Sequence, residues 1–123
     1  MADKHNDTVI IFLDKPYEVT FSHVAIKRFS AIHEMSVNQI VAAVARYDLA
    51  TDIIFLSLNG TNPTMTREDL DKLIEKEFDR GNMTFADVIN IAADAVANAF
   101  GIEEGEESAE DAENPRKAAG TGE

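Results

Sequence analysis

What most constrains the fold is the part of the chain that cannot join it. The last 21 residues, EEGEESAEDAENPRKAAGTGE, hold no side chain that is both larger and more apolar than alanine. Such a segment buries too little surface to offset the entropy of ordering it. It carries eight acidic and two basic residues, so half of the chain's net charge of −12 lies there. Residues 103–123 are therefore expected to be a disordered acidic tail, and the polar run Met1-Ala2-Asp3-Lys4-His5-Asn6-Asp7 a flexible N-terminus. A single globular domain is expected over residues 8–102, with a hairpin at 8–21 and a helical part at 22–102. The full length of 123 residues, 45% of them hydrophobic, suits one modest core and leaves no room for a multi-domain enzyme.

An acidic excess repels polyanions, so nucleic acid is a poor partner. The chain has no cysteine. That removes disulfides, thiolate nucleophiles and cysteine-based metal sites, and it suits a reducing compartment such as the cytosol. No basic flank followed by an apolar stretch marks a secretory signal. The longest apolar runs, Val9 to Leu13 and Ile53 to Leu56, fall far short of the roughly 20 residues a membrane-crossing helix needs. No membrane association is expected.

Thr8–Leu13 and Tyr17–Phe21 are rich in β-branched and aromatic residues, and Asp14-Lys15-Pro16 between them reads as a turn. In the second strand Tyr17, Val19 and Phe21 alternate with Glu18 and Thr20, which directs one face to a core. From Ser22 the period becomes helical. Ala25, Phe29 and Ile32 line one face of a first helix that ends around Met35. Ser36 with Gln39 forms a capping-box pattern for a second helix, with Val37, Ile40, Val41 and Val44 as its stripe. A third helix, Leu49–Leu58, contains Ile53-Ile54-Phe55-Leu56 with no polar interruption, which is hidden only at the centre of a fold or of an assembly. Thr66 with Asp69 opens a fourth helix striped by Leu70, Leu73, Ile74 and Phe78, with Gly81 placed to cap its end. Thr84 with Asp87 opens a fifth, carrying Val88, Ile89, Ala92, Val96, Ala99 and Phe100 up to Gly101. The expected fold class is α+β, mainly α: an N-terminal β-hairpin and about five helices.

Catalytic chemistry finds little support. His23 and His33 are ten positions apart, about 15 Å along a helix, too far to share one zinc, and His33-Glu34 lacks the second histidine of a zincin motif. No Gly-x-Ser-x-Gly elbow and no phosphate-cradling glycine loop is present. The carboxylates Glu68, Asp71, Glu75 and Asp79 alternate with Lys72 and Lys76 as a solvated, salt-bridged helix face. No enzyme, cofactor or metal is expected. An apolar excess in the third helix, a hairpin with an unpaired edge and an acidic tail point instead to binding of other proteins, or of further copies in a homo-oligomer. Ile53, Ile54, Phe55 and Leu56 are the expected interface, against the plainer reading that they are the centre of the core.

The body resembles the tail assembly chaperones of long-tailed phages and related gene transfer agents. The likeness rests on LDKPYEVTFSHVAIKRF, AIHEM with its cap SVNQ, ATDIIFLSLNG, TMTREDLDKLIEKEF and MTFADVINIAADAVANAFG, and on the order of these elements before an acidic tail. The resemblance implies a protein of the host bacterial cytoplasm that binds the tape measure protein, keeps its hydrophobic helices soluble, helps recruit tail tube protein and is absent from the mature virion. It also implies the short product of a gene whose longer form arises by ribosomal frameshifting. No residue role is carried over. The rival reading is an acidic helical regulatory or nucleic-acid-mimic protein, which calls for a dense acidic stripe on the folded body. A carboxylate enzyme is a third reading and needs two acids in one pocket.

Overall fold

The computed structural model describes residues 8–101; the expected flexible N-terminus and acidic tail lie outside them. Two short strands, β1 (Ile10–Phe12) and β2 (Pro16–Glu18), pair antiparallel with Ile11 opposite Tyr17, and five helices follow. The architecture is the mainly helical α+β fold expected.

Both strands are shorter than the sequence pattern predicts. Val19 N–H still donates to the Val9 carbonyl at 2.8 Å, but Ser22 N–H then bonds the Thr20 carbonyl and turns the chain into the first helix. The alternation itself is as expected: Ile11, Leu13, Tyr17, Val19 and Phe21 are buried, while Phe12, Glu18 and Thr20 face out.

Helix α1 (His23–His33) starts at Ser22, whose hydroxyl accepts from Ala25 N–H at 3.2 Å. Its buried residues are Ala25 and Phe29, and the same face continues to His33, whose ring lies 4.4 Å from that of Phe29. Ile32, expected in this stripe, is 59% exposed. The four-residue step from Phe29 reaches His33 rather than Ile32, and His33 finds a polar partner on α3 there. The helix closes with Glu34 in the left-handed region, φ 54°, a conformation that costs a residue with a Cβ about 1–2 kcal/mol.

Helix α2 (Val37–Ala43) begins with the Ser36–Gln39 capping box. It buries Ile40 and Ala43, but Val37 and Val41 of the expected stripe face out. The helix is only seven residues long, so the core covers one narrow line of it.

Helix α3 (Tyr47–Asn59) is the centre of the fold. Eight of its thirteen residues are buried, and it packs most extensively against α5 (Phe85–Phe100), and also against α1 and α4 (Arg67–Asp79). Two of the buried eight are polar and satisfied within the helix. Thr51 Oγ1 donates to the Asp48 carbonyl at 2.9 Å and Ser57 Oγ to the Ile53 carbonyl at 2.7 Å, so neither burial leaves an unpaired group. Beyond the helix, Asn62 N–H and Nδ2 both donate to the Leu58 carbonyl, at 2.8 and 3.1 Å. This is how the expected breaker cluster stops the helix.

α4 and α5 each open with a complete capping box, Thr66–Asp69 and Thr84–Asp87. α4 buries Leu70 and Ile74; α5 buries Val88, Ala92, Ala95 and Val96, small side chains that let it lie close to α3. Ala99 of its expected stripe is exposed. Gly81 and Gly101 follow the two helices at φ 76° and 71°, where a side chain would be strained.

Candidate interaction surface

Three of the four residues expected to meet a partner are in the protein's own core. Ile53 and Ile54 are 0% exposed and Leu56 is 3% exposed. Only Phe55 reaches the surface, half-buried against the core cluster. An unbroken apolar run on a helix is a sign of a helix surrounded on every side, and α3 is so surrounded by α1, α4 and α5. A contact made by this run with a second molecule therefore falls on Phe55.

Apolar surface that water does reach lies elsewhere. On α1, Val24 and Ile32 stand eight residues apart on one face, with Arg28 between them donating from Nη1 to Asn59 Oδ1 at 3.1 Å. On α2, Val37 and Val41 share a face at four-residue spacing. These four side chains are between 37% and 64% exposed. Phe12 on β1 and Phe85 at the start of α5 are exposed as well. Phe85 has company: its ring lies 4.7 Å from Tyr47 and 5.0 Å from Phe78, both edge-on. That aromatic trio ties the ends of α3, α4 and α5 together.

Asp52 on α3 is held by side chains from two other helices. Its Oδ2 lies 2.5 Å from His33 Nε2, which must carry the proton to donate, and its Oδ1 accepts from Arg67 Nη1. Arg67 also donates to Thr51 Oγ1 at 2.5 Å and to Asp71 Oδ1 at 3.4 Å. One carboxylate thus joins α1, α3 and α4. The Thr51 hydroxyl donates to the backbone as above and that of Ser30 to the Met35 carbonyl at 2.6 Å, and the His33–Asp52–Arg67 cluster clasps the three helices together. Beside it, a cleft of about 400 Å³ is lined by Tyr47, Arg67, Asp71 and Phe78 among others. Removal from water raises the Tyr47 pKa, with Asp71 adding to the rise and Arg67 opposing it.

Glu77 is the one carboxylate of α4 that is buried. Arg80 Nη1 donates to its Oε2 at 3.2 Å and Asn82 Nδ2 to its Oε1 at 2.9 Å, so both oxygens are satisfied at the helix end. Among the described residues no group of three or more histidine, aspartate or glutamate side chains is placed to hold a metal ion, and no helix is long and apolar enough to cross a membrane.

Residue-by-residue spacing missed the exposed faces of α1 and α2 because each short helix carries apolar residues on more than one side. The clue present in the sequence was Val24, which lies outside the Ala25–Phe29 line. Comparison with known proteins finds no match to a family model, a curated protein or a solved structure.

Proposed function

We propose that this chain is a tail assembly chaperone that acts by binding: it covers hydrophobic helices of a tape measure protein in the bacterial cytoplasm and helps bring tail tube protein to them. The observation that carries the reading is the outward set Val24, Ile32, Val37 and Val41 on two consecutive helices of a protein whose core is otherwise well filled. Apolar side chains left in water on a folded body gain roughly 1.5–3 kcal/mol each when a partner buries them fully. The net charge of −12 complements that role, because it keeps a complex with an apolar client in solution. Binding of this kind needs no nucleotide and no metal.

Co-expression with a helical fragment of a tape measure protein tests the reading. The fragment is expected to stay soluble and to co-purify with the wild-type chain, and to be lost to the pellet with an Ile32→Ser/Val37→Ser variant that folds normally. Equal recovery with wild type and variant would show that this face is not where the client binds. Failure of the wild type to capture any fragment would remove the chaperone reading itself.

A further inference from the structure

The described part of the chain ends at Gly101, the cap of α5. The ring of Phe100, one residue earlier, lies 6.4 Å from that of Phe21, which in turn lies 6.2 Å from that of Phe29 on α1. The end of α5 is thus two ring contacts away from the middle of α1, and the exit point of the chain lies beside that helix.

On α1, Lys27 and Arg28 are both exposed and lack a counter-charge. Lys27 is in no ion pair among the described residues, and Arg28 bonds only the neutral Asn59, through Nη1 at 3.1 Å. Glu34 is the one acid between Val19 and Tyr47. Cations elsewhere are engaged or outnumbered. Arg46 pairs with Asp48, Lys72 with Glu68 and Arg80 with Glu77, and Arg67 is shared by Asp52 and Asp71. Lys76 stands on α4, a helix that carries six acids and repels more of them.

The sequence after the exit point has the opposite charge. Glu103, Glu104, Glu106 and Glu107 all lie within six residues of Gly101, and no lysine or arginine follows before Arg116. Six extended residues reach about 20 Å, farther than the two ring contacts between α5 and α1. These glutamates can therefore reach Lys27 and Arg28 without any rearrangement of the described fold.

We propose that the glutamates of residues 103–107 settle on Lys27 and Arg28, so that this chain's own acidic segment occupies the outer face of α1. One exposed ion pair contributes little. Here the covalent tether holds four acids near two cations at an effective concentration of about 1 mM or more, and the contact is strongest at low salt. Val24 and Ile32 flank Arg28 on the same face, so the segment stands over apolar surface as well. The contact forms within one chain and does not rest on the chaperone reading.

Paramagnetic relaxation in the full chain tests it. The sequence has no cysteine, so Ser108→Cys supplies one thiol for a nitroxide label. Amide signals of residues 24–31 are expected to broaden at about 0.02 M salt and to lose at least about half of that broadening at about 0.5 M. Signals beside Phe100 should stay broadened at both, because the label is tethered there. The double change Lys27→Glu and Arg28→Glu should give the high-salt pattern at low salt, and so should glutamine at all four glutamates. Lys27 and Arg28 are exposed, circular dichroism checks that their variant is folded, and the glutamine variant alters no described residue. The proposal is overturned if residues 24–31 are broadened no more than α4 at low salt, or if salt, the charge reversal or the glutamines leave the broadening in place. It is also overturned if a nitroxide carried on a separate copy broadens these signals equally, since a second chain's acidic segment would then be the occupant.

Discussion

α3 and the α1–α2 pair are both rich in apolar side chains, yet they place them differently. α3 buries eight of its thirteen residues, whereas α1 and α2 bury two each and turn Val24, Ile32, Val37 and Val41 outward. The proposed partner surface on α1 and α2 follows from this contrast. A run such as Ile53-Ile54-Phe55-Leu56 has apolar groups all around the helix, so only neighbours on every side can satisfy it, and the chain's own helices supply them. A helix with apolar residues on two separate lines can seat one line in the core and leave the other free. Surplus of the second kind is what another molecule can use.

The sharpest way to break this comparison is to remove matched apolar groups from the two regions. Ile54→Ala is expected to cost about 2–5 kcal/mol in urea unfolding, because it opens a cavity among residues that cannot fully close over it. Loss of the exposed Ile32 side chain by the Ile32→Ser change belongs at the other end of the scale, within about 0.5 kcal/mol. Similar losses at the two positions would mean that α1 is as enclosed as α3.

The clasp at Asp52 links the two regions, and its removal comes next in size. Asp52→Ala takes the hydrogen-bond acceptor from both His33 and Arg67. Water reaches both of those side chains in part, so the expected loss is about 1–2 kcal/mol. Added mobility should appear in α1, measured by hydrogen exchange, because α1 is joined to α3 by this contact. A smaller effect of opposite sign is expected at the end of α1. Glu34 sits at φ 54°, and Glu34→Gly should raise stability by about 1 kcal/mol or less, since relief of left-handed strain is partly cancelled by glycine's freer unfolded chain.

The smallest effect is a pH dependence outside both regions. Hydrogen bonding to the Thr66 backbone, and then to its side chain, holds the Asp69 carboxyl below its ordinary value of 3.8. A depressed folded value means the stabilisation is present above pH 3.8 and is lost as pH falls through the lower folded value. Thermal melts of wild type and Asp69→Asn should therefore converge at strongly acid pH and separate above it. Curves that stay parallel would show that ionisation of Asp69 adds nothing to the cap at α4.

Local features were the part of this fold that could be read from sequence. Ser36 with Gln39, Thr66 with Asp69 and Thr84 with Asp87 all form complete capping boxes, and Gly81 and Gly101 both adopt positive φ after their helices. Each of these is decided within a few residues, so the pattern and its cause lie side by side in the chain. The facing of α1 and α2 is decided elsewhere. Ile32 faces out while His33 turns toward Asp52, 19 residues further on. Arg67 completes that cluster from 15 residues beyond Asp52. A groove of about 440 Å³ lined by Phe12 and Ile91 likewise needs β1 and α5 together, from opposite ends of the described chain. None of these pairings leaves a periodic trace in the sequence.

Hydrogen–deuterium exchange on the protein alone, and then with a bound tape measure fragment, tests most directly the claim that partners are met by α1 and α2 rather than by α3. On the proposed arrangement α3 amides exchange slowly in both states, and new protection on binding appears across residues 24–41. New protection concentrated in residues 53–56, with residues 24–41 unchanged, would contradict it.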